Sequence, residues 1–327
     1  MTGILVPTAD EAAWLHARRQ GVTASEIAVI MGLSPYGSPY ELYHRKLGNL
    51  PPLADNPAME RGRVLEPVVA DMFAGRRYGY WMSGDGRTLY RSGRYGWQLA
   101  TPDRLLSEIE EADGETQVAG YAAVLECKVT GAWDGWGDDG TDEIPVHYRC
   151  QVLWQCDVLG LGEWWLAALH PGRWELRVYH GTVDDQAEAD LSMMRTLARE
   201  FLGRLHDGDE PDVDWRPATG AALRARYSEL EDTDALVGAR TAISYRAAVR
   251  RYEQAKRRKD EMTNRVLAAM GDARRAKTPD GDLVATRTVS TTSRISTSKL
   301  RENHPDIAAE CTTQSTTVRL TPAKEHK

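Results

Sequence analysis

Three scarcities limit what this chain of 327 residues encodes. Its four cysteines form no C-x-x-C pair, so the sequence suggests neither a zinc site nor a disulfide framework and favours reduced thiols. No apolar run approaches the length of a membrane span, and the first residues lack the apolar region of a secretion signal. Only 2 phenylalanines occur, yet 10 tryptophans, 13 tyrosines and 42% hydrophobic residues suffice for a buried core. Together these features predict a soluble intracellular protein.

The length and the distribution of charge indicate two units. A chain of this length exceeds one small domain. Its net charge of −7 argues at first against a nucleic-acid partner, but residues 240–277 carry 12 Lys and Arg against 4 Asp and Glu, a local net charge of +8. Such a segment can bind a polyanion locally. We place the boundary after residue 216, with a core over 1–216 and a basic, helical extension ending in a short β or irregular tail over 217–327.

One stretch, from residue 101 to 128, organises the chain. It contains two apolar runs, one beginning just after Asp103 and the other ending in Glu126, Cys127 and Lys128. Side chains at i and i+2 share a face of a strand, so Glu126 and Lys128 point the same way and Cys127 points away, with its carbonyl at the site edge. If the runs pair as a hairpin, Asp103 joins them.

Two carboxylates facing a lysine match the needs of a Mg²⁺-dependent phosphodiesterase. The acids hold a hard cation, and the lysine orients a water or offsets charge on the phosphate. The alternative is a solvated ion pair on an exposed strand. The apolar residues before Glu126 favour the first reading, because polar groups at the end of a buried strand need partners.

Three further residues are ambiguous by sequence alone. Ser25 and the preceding Thr23 stand at a predicted helix start, where backbone N–H groups can cradle a phosphate and Arg18 can add a contact. An ordinary capped helix with a surface arginine fits the same letters. Glu66 lies in a predicted helix, where an acid is most simply a surface residue.

Several ordered blocks resemble a known family, the YqaJ-like viral recombinases, which are relatives of phage lambda exonuclease with a PD-(D/E)xK nuclease core. The resemblance covers roughly residues 14–205. It implies an α/β restriction-endonuclease-like core, with a central mixed sheet flanked by helices. The blocks are Trp14-x3-Arg18, Gly21-Val22-Thr23-Ala24-Ser25, Glu66, Thr101-Pro102-Asp103, Leu125-Glu126-Cys127-Lys128 and Gln151-Val152.

The resemblance implies a catalytic centre at the end of the hairpin. Asp103 and Glu126, with the Cys127 carbonyl, resemble the principal metal ligands of the family. Lys128 resembles the lysine that orients the attacking water.

The resemblance also implies roles for four residues outside the hairpin. Glu66 resembles the acid that supports a second metal, and Gln151 the glutamine that lines the site. Arg18 and Ser25 resemble the pocket for the 5′-phosphate of a DNA end.

From these features we predict a Mg²⁺-dependent 5′-to-3′ exonuclease, with Mn²⁺ as the alternative cation. It would act on double-stranded DNA ends in the cytoplasm of a bacterial host and expose 3′ strands for phage recombination. The resemblance further implies a single-strand annealing protein as partner and a homo-oligomer, a ring-like trimer around DNA.

Two alternatives stay open. One is a sequence- or structure-specific endonuclease, which would yield discrete fragments. The other is a non-catalytic DNA-binding scaffold, which the intact Asp103, Glu126 and Lys128 disfavour.

Overall fold

The computed structural model describes residues 2–52, 55–76, 78–112, 115–313 and 320–323. The chain divides into two compact units, Met1–Tyr227 and Ser228–Lys327. We had predicted the boundary after residue 216, and the structure divides the chain one helix later. That helix packs in the first unit, where the Thr219 hydroxyl lies 2.7 Å from the Ser38 hydroxyl. None of the helices in the described ranges is long and apolar enough to cross a membrane.

The strands of the first unit form two sheets. A five-stranded sheet has the order β3-β6-β7-β8-β9, and a smaller sheet has the order β1-β4-β5-β2. Each sheet combines antiparallel pairs with one parallel pair, β7 with β8 and β2 with β5. The strands are β1 (Ile4–Leu5), β2 (Val22–Thr23), β3 (Tyr80–Ser83), β4 (Tyr90–Arg91), β5 (Gln98–Ala100), β6 (Arg104–Ala112), β7 (Glu115–Val129), β8 (Glu163–His170) and β9 (Glu175–Thr182).

Helices cover both faces of the five-stranded sheet, which confirms the predicted mixed sheet flanked by helices. The helices of the first unit are α1 (Glu11–Arg19), α2 (Ala24–Ile30), α3 (Pro39–Lys46), α4 (Pro57–Gly75), α5 (Val146–Leu159), α6 (Asp185–Asp207) and α7 (Pro217–Arg226).

Strand β7 alternates between the two faces. Val124 belongs to the core cluster that includes much of α5, whereas Leu125 packs in the cluster that contains Val69 and Phe73 of α4. Because both faces are covered, residues 123–125 are fully buried. Strands β6 and β7 pair antiparallel, as the sequence predicted. Their connection at residues 113–114 lies outside the described residues.

The second unit contains α8 (Ala239–Met270), the hairpin of β10 (Arg275–Lys277) and β11 (Leu283–Thr286), and the helices α9 (Thr297–Asn303) and α10 (Pro305–Glu310). Residues 228–238 precede α8, are exposed and form neither helix nor strand. Helix α8 is the longest element of this unit, with 32 residues.

Candidate active site

The pairing of β6 with β7 brings Asp103 beside the end of the hairpin. Arg104 pairs with Leu125, so the antiparallel register places Asp103 opposite Glu126. The N–H of the next residue, Cys127, donates to Asp103 Oδ2 at 2.7 Å. Burial, and then the negative charge of Glu126, raise the pKa of Asp103 well above its usual range. Burial therefore disfavours the charged form of this carboxyl group most, and the neighbouring carboxylate of Glu126 adds to the effect.

Glu126 is a carboxylate buried among donors from its own strand and from α5. Its side chain is only 3% exposed, and Lys128 Nζ donates to Oε1. Gln151 Nε2 donates to the same oxygen at 2.5 Å, and Gln155 Nε2 donates to Oε2 at 2.7 Å. These contacts hold Glu126 in one orientation and offset the cost of its burial.

Lys128 lies on the same face of β7 as Glu126, as the i, i+2 spacing predicted. Its ammonium group is 5.1 Å from the centre of the Tyr148 ring. Burial lowers the pKa of Lys128, but the negative charges of Glu126 and Asp103 outweigh that effect and raise it above its ordinary value. The lysine is therefore held as a cation.

The thiol of Cys127 points away from these groups, also as predicted. It packs with Leu125 in the core cluster against α4 and is 6% exposed. Burial, followed by the charge of Asp103, raises the pKa of the thiol well above its usual range. Cys127 therefore contributes its backbone, not its sulfur, to this site.

Glu66 lies on α4 and is hydrogen-bonded to Arg104, the residue after Asp103. Its Oε1 accepts a hydrogen bond from Arg104 Nη1 at 2.9 Å, and its negative charge contributes to the raised pKa of Asp103. A Cβ placed on Gly86 would lie 2.8 Å from Glu66 Oε1, so the carboxylate rests against glycine backbone with φ +71°. Glu66 lines a cavity shared with Trp14, Arg63, Asp85 and Arg104.

The donors fit a hard divalent cation in their chemistry. Asp103 and Glu126 are carboxylates, and the Cys127 carbonyl is a further oxygen, the ligand type that Mg²⁺ and Mn²⁺ accept. The mutual repulsion at Asp103 is the kind of charge that a divalent cation relieves. Across the described ranges no group of three or more His, Cys, Asp or Glu side chains is arranged to hold a metal. The fit is therefore to two carboxylates, since Arg104 engages Glu66.

Arg18 and Ser25 meet next to Thr101, two residues before Asp103. Arg18 Nη2 lies 3.4 Å from Ser25 Oγ, and Arg18 Nη1 lies 3.3 Å from Thr101 Oγ1. The guanidinium stacks 4.3 Å from the centre of the Trp14 ring. Burial lowers the pKa of Arg18, and within the described part of the chain no carboxylate lies within salt-bridge distance of it. A half-buried guanidinium whose partners are hydroxyls is suited to bind an anion.

The structure differs from the expected cradle of backbone N–H groups at the Thr23 amide. The N–H of Thr23 donates to Glu26 Oε2 at 2.8 Å, because that glutamate folds back over the start of α2. This amide is already satisfied within the protein. The Thr23 amide is therefore not free to bind an anion, and the polar groups exposed at this position include the side chains of Arg18 and Ser25.

The structure adds three residues that our sequence reasoning did not assign to the site: Thr101, Tyr148 and Gln155. Tyr148 lies three residues before Gln151, and Gln155 lies four residues after it. Tyr148, Gln151 and Gln155 therefore share one face of α5. That spacing was a usable signal once Gln151 was chosen. The hydroxyl of Thr101 had no such signal, because its contact to Arg18 spans two distant segments.

Comparisons with known proteins agree with the resemblance. Residues 13–161 match the model of the YqaJ-like viral recombinase domain. The chain is 28% identical over 311 residues to the uncharacterized protein YqaJ of Bacillus subtilis (strain 168), covering 90% of this chain and 88% of that protein. It is similar to the crystal structure of the alkaline exonuclease LHK-Exo of Laribacter hongkongensis, with a TM-score of 0.45, 21% identity, and coverage of 61% of this chain and 94% of that one. The structure of LHK-Exo in complex with dAMP gives the same values.

Proposed function

We propose, from the premise that residues 13–161 are a YqaJ-like viral recombinase domain, that this protein is a metal-dependent exonuclease of linear double-stranded DNA. It digests one strand from the 5′ end and leaves 3′ single strands for phage-type recombination. The observation that supports this most is the meeting of Asp103, Glu126 and Lys128 where β6 begins and β7 ends. The guanidinium of Arg18 contacts Thr101, two residues before Asp103.

Each residue has a separate task in this proposal. Mg²⁺, or Mn²⁺ in its place, would be held by Asp103, Glu126 and the Cys127 carbonyl, and when bound supplies Lewis-acid polarisation of the scissile phosphate. Lys128 donates to the attacking water and offsets negative charge that develops on the phosphate. Gln151 keeps Glu126 in place by donating to Oε1.

The end preference of the enzyme rests on Arg18 and Ser25. A terminal 5′-phosphate carries more negative charge than an internal phosphodiester and has free oxygens for bidentate contact with the guanidinium. Binding the end there positions the first internucleotide bond near Asp103, because Thr101 contacts Arg18 and lies two residues before Asp103. The 3′ strand that remains is the substrate of a single-strand annealing protein, the partner we propose.

The test compares linear duplex DNA with covalently closed circles in the presence of Mg²⁺. The wild-type protein should shorten the linear duplex progressively and spare the circles. Glu126→Gln should reduce digestion by at least about 100-fold, because it removes the carboxylate charge at nearly constant shape. Glu108→Gln, on the exposed part of the neighbouring strand β6, is the matched control and should digest as the wild type does.

The products separate the alternatives. Rapid cutting of closed circles into discrete fragments would replace the exonuclease by an endonuclease. DNA binding without cleavage of either substrate would leave a scaffold that keeps the fold. Full activity in Glu126→Gln would overturn the assignment of the site.

A further inference from the structure

Helix α8 is strongly basic and almost wholly exposed. Between Ala239 and Met270 it carries nine Arg and Lys against three Asp and Glu. Within these 32 residues only Met270 is buried. A helix so poor in buried residues gains little stability from packing, so its charged surface needs another explanation.

The arginines of α8 share one side of the helix. At about 100° per residue, six of them fall within an arc of about 140°. All six are exposed. We call this arc the arginine face; its members are Arg246, Arg250, Arg251, Arg257, Arg258 and Arg265.

Most of the arginine face is not neutralised by nearby carboxylates. Arg265 pairs with Glu261 one turn before it. In the described part of the chain, Arg246, Arg251, Arg257 and Arg258 have no carboxylate within salt-bridge distance. Like charges this close repel one another, and a bound polyanion would relieve that repulsion.

Most of the large apolar residues of α8 lie on the remaining part of the helix surface, with Ile243 an exception within the arginine face. Tyr245 and Val249 line a cavity together with Leu320 and Pro322, from the C-terminal segment of the same unit. A helix that lies on a membrane uses its apolar arc to enter the lipid. Arg246, Arg250 and Arg257 line the same cavity, whereas Arg251, Arg258 and Arg265 do not. Because much of the apolar arc is adjacent to the protein's own chain, we favour a polyanion over a lipid surface as the partner of the arginine face.

The length and the chemistry of this face fit nucleic acid. From Arg246 to Arg265 the helix extends about 28 Å, at 1.5 Å per residue, comparable with about eight base pairs of duplex at 3.4 Å each. Guanidinium groups bind phosphate oxygens in bidentate geometry, whereas an acidic protein surface seldom offers so regular a row of anions. We infer that the arginine face of α8 is a second DNA-binding surface, which holds the phosphate backbone without regard to sequence or strand ends.

This inference rests on the proposed function only for the choice of DNA as the partner. The experiment measures binding of the full chain to a labelled, covalently closed duplex circle in EDTA, across a range of salt concentrations. A circle has no 5′ end, so the Arg18 pocket does not account for its binding. In the double variant Arg251→Gln/Arg258→Gln, the slope of log K against log salt should become shallower by about 1.8, with weaker affinity.

Two further variants serve as controls, and far-UV circular dichroism checks that each is folded. Arg251→Lys/Arg258→Lys keeps both charges and should retain the wild-type slope. Arg199→Gln/Arg224→Gln removes two exposed arginines from the first unit and should leave the slope unchanged.

An unchanged slope and affinity in Arg251→Gln/Arg258→Gln would overturn the inference. So would an equal change in the Arg199/Arg224 control, since binding would then follow net charge alone. If Arg251→Gln/Arg258→Gln lost binding to phosphatidylserine vesicles but bound DNA as the wild type does, the face would be a membrane-binding surface instead. Because no divalent cation is present, failure of DNA cleavage, which would sink the proposed nuclease, leaves this measurement unaffected.

Discussion

Glu126 shows how single residues compensate one another in this protein. A buried carboxylate is costly unless several donors satisfy it, and here an ammonium and two amides do so. Gln155 is buried beside it, and its own Oε1 has no partner among the described residues. The protein therefore tolerates an unsatisfied amide oxygen to keep Glu126 fixed.

Arg18 should decide the preference for phosphorylated ends. We expect the wild-type protein to digest 5′-phosphorylated duplex faster than 5′-hydroxyl duplex, and Arg18→Gln to lose that preference. A hydrogen bond to a charged group contributes about 1.5–3 kcal/mol. Arg18→Gln should therefore digest the phosphorylated substrate about 10- to 100-fold more slowly than the wild type does. The measurement is the initial rate of digestion of the 5′-phosphorylated and the 5′-hydroxyl duplex.

Arg19→Gln is the control for this prediction, because Arg19 is the exposed neighbour of Arg18 on the same helix. It should keep the wild-type preference. If Arg18→Gln still distinguishes the two ends, the phosphate pocket lies elsewhere.

At the scale of elements, α5 connects the two sheets. The indole N–H of Trp154 lies 3.3 Å from the carbonyl of Val22 on β2 and 3.2 Å from that of Leu99 on β5. Gln151 and Gln155 of the same helix donate to Glu126 on β7. One helix thus fixes the segment that leads to Asp103 relative to the strand that carries Glu126.

The approach of β2 to β5 requires glycine before it. A Cβ at Gly21 would lie 2.1 Å from the backbone oxygen of Trp97, the atom that accepts the Val22 N–H at 2.7 Å. We expect Gly21→Ala to lower the free energy of unfolding by about 1–3 kcal/mol, because backbone has to move. Urea denaturation measures the change.

Gly62 provides the opposite case in a helix. It lies in α4, and a Cβ added there would meet no atom within 4 Å. Gly62→Ala should therefore stabilise the protein by about 0.5–1 kcal/mol through helix propensity. If Gly21→Ala and Gly62→Ala changed the free energy of unfolding equally, the close approach of Gly21 to Trp97 would not limit stability.

The junction of α3 with α7 predicts a pH dependence. His44 is buried on α3, where it contacts Glu210, lies 2.7 Å from Arg226 Nη1 and packs against Tyr40. Burial, and then the charge of Arg226, lower the pKa of His44 despite Glu210. The unfolded chain therefore binds the proton first, and stability should fall as the pH drops below about 6.5.

Urea midpoints at pH 7.5 and 5.0 test this sign. His44→Gln should lose less stability between these values than the wild type, whereas His16→Gln, at an exposed position, should match the wild type. The pKa of Glu210 is lowered, so its own contribution is lost at more acidic pH, below this interval. If the urea midpoint of His44→Gln fell as much between pH 7.5 and 5.0 as that of the wild type, the prediction would be wrong.

At the scale of the whole molecule, the two units differ in how they are stabilised. The three core clusters of buried residues all lie in the first unit. The second unit relies on a long exposed helix with a short hairpin. Folding stability and DNA affinity should therefore respond to different parts of the chain.

Limited proteolysis should separate these contributions. A glutamate-specific protease should cut first at Glu229 or Glu231, which are exposed and outside regular structure. We expect the larger fragment to keep the thermal midpoint of the core and to digest linear duplex, while binding closed circles more weakly than the whole chain. Loss of the thermal transition would contradict this independence.

Much of the fold could be predicted because its signals are local. The apolar runs around residues 104–106 and 122–125 specify two strands, and period-two geometry places Glu126 and Lys128 on one face. The sequence predicts a boundary after residue 216, whereas the structure groups α7 with the first unit, where the Thr219 hydroxyl contacts that of Ser38, a residue distant in sequence.

The sequence by itself determined the hairpin with its acids and lysine, the resemblance to a nuclease family, and the row of arginines along α8. These depend on spacing along one element. Only the tertiary structure decided that Arg104 engages Glu66, that Glu126 has three donors, and that Arg18 meets hydroxyls in place of a carboxylate. Such pairings depend on how helices are rotated against the sheet, which long-range packing sets and local pattern does not.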